Sequence, residues 1–175
     1  MIFKETKLPG VFEIHLDPHY DERGFFARSW CQKEFEAHGL NARLVQCNIS
    51  SNARKGTLRG MHFQAPPCAE AKLVRCTMGA IYDVVADLRP ESPAFRQWIG
   101  LTLTAKNRNM VYIPEGCAHG FLTLEDESEI FYQMSEFYNA ESARGVRWSD
   151  PALAIAWPFE PRIISERDRA YPDFQ

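Results

Sequence analysis

Lys72-Leu73-Val74-Arg75-Cys76-Thr77-Met78, a glycine, and then Ala80-Ile81-Tyr82-Asp83-Val84-Val85-Ala86-Asp87-Leu88 decide the architecture. Both runs are short, rich in aliphatic and β-branched residues, and divided by a turn residue, a pattern that predicts strands and not helices. The same punctuation by Gly, Pro, Asn and Asp continues outward in both directions. Upstream, strand-like segments cover Val11 to Leu16, Gly24 to Trp30, Leu44 to Ser50 and Thr57 to Phe63. Downstream they cover Trp98 to Leu103, Asn109 to Ile113, Gly120 to Leu124 and Glu129 to Glu136. One short helix fits Gln32 to His38. Many strands with short connections and little helical periodicity between them favour an all-β sandwich or barrel over a parallel βαβ sheet.

The segment after Arg147 reads differently. It carries Trp148 and Trp157 and the steps Asp150-Pro151, Trp157-Pro158, Glu160-Pro161 and Tyr171-Pro172. Each X-Pro step disfavours helix in the residue before it. An irregular segment with one helical turn, held against the barrel by its tryptophans, is expected.

The chain of 175 residues fits one domain covering 1–175, since a single core of that size can bury about 70% of the unfolded surface. No apolar run approaches the roughly 20 residues a spanning helix needs. Met1-Ile2-Phe3-Lys4-Glu5 lacks the basic and apolar regions of a secretory signal. The five cysteines are scattered and include no C-x-x-C pair, so neither a disulfide framework nor a zinc knuckle is indicated. A reducing cytoplasm is the expected compartment. The net charge of -3 argues against nucleic-acid partners. Between Asp21 and Arg75, however, Arg23, Arg28, Lys33, Arg43, Arg54, Lys55, Arg59, Lys72 and Arg75 outnumber the acids. That excess suits either a compact anion such as a diphosphate or a solvated charged face.

Chemistry concentrates in four places. Leu58-Arg59-Gly60-Met61-His62-Phe63-Gln64, followed by Lys72, brings together a histidine, an arginine and a lysine. A neutral imidazole takes a proton near neutral pH, and an ammonium beside it stabilises an enolate oxygen; the alternative is a core histidine with a surface lysine. On a regular strand Arg59 and His62 point to opposite faces, so joint service requires a bulge at Gly60 or an Arg59 at the barrel rim. Ile113-Pro114-Glu115-Gly116-Cys117-Ala118-His119-Gly120-Phe121 delivers His119 from a tight turn. In Ile130-Phe131-Tyr132-Gln133-Met134, alternation places Tyr132 on a buried face, as a core phenol or as a proton donor. Ser165-Glu166-Arg167-Asp168 is either an exposed polar turn or the source of an aspartate that fixes the tautomer of His62.

The P-x-G-x-x-H spacing resembles half of the cupin signature, and a metal-dependent cupin oxygenase or isomerase would draw on His62, His119 and Glu70. A more extensive resemblance runs along nearly the whole chain. Asp21-Glu22-Arg23-Gly24-Phe25-Phe26, Gln46-Cys47-Asn48-Ile49-Ser50, Gly56 to Gln64, Lys72 to Cys76, Ser92-Pro93-Ala94-Phe95, Pro114 to Phe121, Gly145 to Pro151 and Ser165 to Asp168 follow one another in the order of the dTDP-4-dehydrorhamnose 3,5-epimerase family. This resemblance implies a cupin-type jelly roll and a homodimer with exchanged N-terminal strands. It also implies epimerisation of a nucleotide-linked 4-keto-6-deoxyhexose in deoxysugar biosynthesis, with no cofactor and no metal.

Carried over by position, His62 is the base, Asp168 its orienting partner, Lys72 the enolate stabiliser and Tyr132 the acid on the opposite face of the sugar. His119 contacts the hexose, and Arg59 and Arg23 bind the diphosphate, Arg23 across the dimer. Gln46, Asn48, Phe26 and Arg167 join the substrate site, and Tyr138 stacks on the base. Arg28 and Ala143 stand where the family commonly carries acids at the nucleotide end, which opens the identity of the base. A nucleotide-sugar binding protein without catalysis is the remaining alternative.

Overall fold

The computed structural model describes residues 1–174. In chain order the first strands are β1 (Ile2–Glu5), β2 (Phe12–His15), β3 (His19–Asp21) and β4 (Gly24–Phe26), followed by the helix α1 (Gln32–Ala37). The barrel strands follow as β5 (Gln46–Asn52), β6 (Thr57–Gln64), β7 (Lys72–Met78), β8 (Ala80–Asp87), β9 (Trp98–Thr104), β10 (Met110–Ile113), β11 (Cys117–Thr123) and β12 (Ser128–Met134). Two short strands, β13 (Ala143–Gly145) and β14 (Ile163–Ile164), and a last turn of helix, α2 (Glu166–Arg169), complete the order.

Two sheets face one another. One has the order β1-β2-β10-β7-β12-β5, and the other runs β13-β6-β11-β8-β9 with β14 added parallel to β6. From β5 to β8 and again from β9 to β12 the chain passes between the sheets at each connection, which makes a jelly roll and not a meander. Gly79, at φ +71°, turns β7 into β8.

The core lies between the sheets. Val74, Cys76, Val111, Ile113 and Ile130 from one sheet pack on Ile81, Val85, Leu103, Cys117 and Phe121 from the other. Burial pushes the Cys76 thiol up to about 11 and the Cys117 thiol up to about 12, so both behave as small apolar fillers. A second cluster seats α1 through Phe35 on Phe12, Leu73 and Tyr112. A third packs Leu153 and Trp157 of the tail on Met61, Val84, Ala86 and Ala118, and the Trp157 indole donates to the Trp148 carbonyl at 2.9 Å.

The predicted strands are present, with shifted ends. The segment predicted to start at Gly120 begins at Cys117, because all seven residues of β11 are buried and no alternation marks its start. The segment predicted over Gly24 to Trp30 stops at Phe26; β4 pairs only with β3, and that hairpin lies off both sheets. The tail carries its helical turn as α2 together with the unpredicted β14, and an unpredicted β13 lies just before it. No helix among the described residues is long and apolar enough to cross a membrane.

Candidate active site

The site begins with an irregularity in β6. Gly60 sits at φ +129°, and a Cβ there would lie 2.5 Å from Gly120 Cα and 2.9 Å from His119 O. Only glycine fits both that backbone and that contact. At this point the pairing of β6 with β11 slips, His62 opposing His119 and Arg59 opposing Phe121. The slip lets Arg59 and His62, three residues apart, face the same cavity.

The tail reaches His62 from outside the barrel. Pairing of β14 with Thr57 and Leu58 lays the segment along β6. Ser165 then caps α2, its hydroxyl accepting from Asp168 N at 3.1 Å. This brings Asp168 Oδ1 to 2.7 Å from His62 Nε2, while Asp168 Oδ2 accepts from Gly60 N at 3.1 Å. Burial pushes the Asp168 carboxyl up, but its bonds to His62, Gly60 N and Ser165 outweigh that and hold it below the usual carboxylate range. With Nε2 engaged, Nδ1 is the His62 nitrogen left for a ligand.

His119, the cross-strand neighbour of His62, has its own carboxylate. Its Nε2 lies 2.8 Å from Oδ2 of Asp83 on β8, a residue 1% exposed. Burial pushes the Asp83 carboxyl up, against the opposing pull of His119 and Lys72. The facing sheet supplies Lys72, whose ammonium is 2.8 Å from Glu70 Oε1; both residues are buried, and Glu70 Oε2 has no hydrogen-bond partner among the described residues. Tyr132 of β12 also comes from that sheet, between the buried Ile130 and Met134.

These side chains line one cavity of about 420 Å³. His62 and His119 stand on one wall, with Lys72, Tyr132, Gln46 and Asn48 on the other. Tyr138, Ala143, Arg144 and Arg167 lie at the rim. The chain is acidic overall, yet the cavity lining holds four cations, Arg59, Lys72, Arg144 and Arg167, against one carboxylate, Glu70. Among the described residues none of the three guanidinium groups pairs with a carboxylate. Arg59 donates to Asn52 Oδ1 at 2.7 Å, Arg144 donates to the Glu141 carbonyl at 2.8 Å, and the Arg167 guanidinium stands over the Tyr171 ring, 5.8 Å from its centroid. Uncompensated guanidinium groups around a cavity attract an anion. A larger hollow of about 500 Å³ lies along the tail between Trp148 and Glu160, but its lining contains no histidine or cation.

Besides Asp168, which meets the cavity only through His62, two predicted residues do not reach it. Arg23 is exposed on the β3–β4 hairpin and bonded to Asp21, and Phe26 beside it is 77% exposed. Neither lines the cavity of its own chain; the hairpin pairs with neither sheet, and its Phe25 ring lies 4.7 Å from the Arg108 guanidinium. Arg28 is likewise turned away, donating to Glu34 at 2.7 Å, whose other oxygen takes the Met1 amine. Glu70 engages Lys72, and among the described residues no three His, Cys, Asp or Glu side chains gather as a metal-ligand set. Asp83, Ser50 and Arg144 were missed in the sequence. A lone aspartate inside the apolar run Ile81 to Ala86 was the available signal for Asp83.

A jelly-roll barrel of cupin type with an acid–base pocket rimmed by free cations defines the class of this protein. The model of the dTDP-4-dehydrorhamnose 3,5-epimerase family matches residues 5–175. The dTDP-4-dehydrorhamnose 3,5-epimerase of Shigella flexneri is 44% identical over 165 residues, covering 94% of this chain and 91% of that one. The crystal structure of the enzyme of that name from Elizabethkingia anophelis superposes with a TM-score of 0.97 at 39% identity, covering 99% of this chain and 96% of the other. The Bacillus anthracis enzyme, solved with TDP and PPi bound, gives 0.94 at 41% identity and 99% coverage of both chains. The chain belongs to the dTDP-4-dehydrorhamnose 3,5-epimerase family.

Proposed function

We propose that this protein is an isomerase that epimerises C3, C5 or both in a nucleoside-diphosphate 4-keto-6-deoxyhexose of the dTDP-4-dehydro-6-deoxyglucose type, a step of dTDP-rhamnose or related deoxysugar biosynthesis. The carrying observation is the arrangement of an aspartate-braced His62 on one wall and Tyr132 on the facing wall of a single cavity. Protons at C3 and C5 lie beside the C4 ketone and become removable when charge on its oxygen is stabilised in a partly dry site. His62 takes the proton through Nδ1, Asp168 holds its ring, and Lys72 stands beside the ketone oxygen. Tyr132 returns a proton to the opposite face, so the carbon inverts. No step calls on a cofactor.

Arg59 and Arg167 hold the diphosphate, with Gln46 and Asn48 beside it, His119 on the hexose, and Tyr138 stacked on the base. Ala143 places no carboxylate at the base end, and Arg28 is bound to Glu34, so base preference is set mainly by stacking and shape. Arg23 and Phe26 act in the site of a second copy: we place the β3–β4 hairpin, with Tyr20, Phe25 and Phe26 exposed, across a homodimer. The free cysteines suit a reducing cytoplasm.

The test is deuterium wash-in from D₂O, followed by NMR, across 4-keto-6-deoxy sugars carried on dTDP, CDP, GDP and UDP. Deuterium entering C3, C5 or both of the dTDP sugar is expected. Protein that binds the nucleotide yet incorporates no deuterium from any of the four would be a binding protein and not an epimerase.

A further inference from the structure

The two histidines of the cavity are each backed by an aspartate, but the two aspartates sit in different surroundings. Asp168 accepts from Gly60 N in addition to facing His62, so both carboxylate oxygens have a partner. Among the described residues Asp83 has one partner, His119, and its Oδ1 is buried without a hydrogen bond. Around it stand Ile81, Val85 and Phe121 of the central core. The titratable and charged groups that face it are His119 of β11 and, from β7, Lys72 and Cys76. An ionised carboxylate with one bare oxygen in apolar packing is strongly disfavoured, whereas the acid form leaves only a carbonyl oxygen unpaired.

We propose that Asp83 and His119 form a second dyad that carries a proton, with Asp83 donating from its carboxylic acid to His119 Nε2 and His119 Nδ1–H offered to the ketone oxygen of the substrate. Asp83 does not line the cavity and acts through His119, so it is a positioning and proton-holding residue. As His62 removes the carbon-bound proton, the C–H electron pair becomes the new C=C bond and charge moves to the ketone oxygen. The Nδ1 proton passes to that oxygen, the Asp83 proton passes to Nε2, and the charge settles on Asp83, where Lys72 faces it. When the carbon is reprotonated from Tyr132, the enol proton returns to Nδ1 and the Nε2 proton returns to Asp83. The base dyad and the donor dyad thus differ in where the proton rests, a division of labour set by environment.

This inference rests on the epimerase reading for its consequence but not for its first test. In unliganded protein with ¹⁵N-histidine, two-bond ¹H–¹⁵N correlation at neutral pH, with His119 assigned through His119→Gln, reports the tautomer directly. A protonated Nδ1 and a bare Nε2 on His119 are expected. A proton on Nε2 with a bare Nδ1, or an imidazolium, overturns the proposal whether or not the protein epimerises anything.

Asp83→Asn supplies the second readout. The amide can still donate to Nε2 but cannot release the proton, so kcat for deuterium exchange should fall about 100-fold while KM and dTDP affinity stay within about twofold. Turnover at the wild-type rate in a variant that binds dTDP normally overturns the relay. If the wild type exchanges no deuterium while His119 shows the expected tautomer, the epimerase reading fails and the dyad stands.

Discussion

Asp168 and Asp83 lie 2.7 and 2.8 Å from a histidine Nε2, yet their surroundings push them in opposite directions. For Asp168 the depressed value means that its contacts stabilise the fold in full above the ordinary carboxylate pKa of about 4 and are lost as the pH falls through the lower native value. Asp168→Asn should therefore be less stable than the wild type at pH 7, with the gap narrowing at pH 3; urea unfolding at both values measures it, and a constant gap would refute the assignment. The same variant should lose on the order of 10²- to 10⁴-fold in deuterium exchange at both carbons, because the amide no longer braces the imidazolium. At this scale the sequence was partly legible. His62, Lys72, His119 and Tyr132 stood out because their side chains have few uses other than chemistry or packing. Asp83 did not, since its role comes from burial by residues far away in the chain, and sequence spacing carries no record of that.

At the scale of the element, β6 shows how one residue sets the direction of its neighbours. Alternation places Arg59 and His62 on opposite faces, and Gly60 resolves the conflict by a slip against β11. Gly60→Ala would press a methyl group on Gly120 Cα and hold a non-glycine residue at φ +129°. A loss of about 2 kcal/mol or more is expected in denaturant unfolding, together with lost exchange activity as Arg59 and His62 diverge. A variant of unchanged stability would mean that the slip has another cause. The need for a bulge was readable from the spacing of Arg59 and His62. The start of β11 and the end of β4 were not, the first because a strand buried throughout has no alternation, the second because exposed aromatic residues mimic it.

At the scale of the whole molecule, an all-β sandwich or barrel followed from the spacing of strands and turns and the jelly roll from resemblance, whereas the hairpin holding Arg23 and Phe26 was also assigned to the site by resemblance and stands clear of it within one chain. If that hairpin serves a second copy, two defective chains repair each other. An Arg23→Ala chain keeps a sound cavity and lacks a sound hairpin, and a His62→Ala chain is the reverse. Each should be inactive alone and active when the two are unfolded and refolded together, with sedimentation showing dimers. Monomers that gain nothing on mixing would confine the site to one chain. The route by which Asp168 arrives has a consequence of a different kind. The eleven other strands of the two sheets all precede β14 and α2 in the chain, so on the ribosome the container is translated before the carboxylate that faces its histidine. If Asp168 braces His62 in catalysis, a nascent polypeptide can be a finished shell and still be inert until α2 has been added.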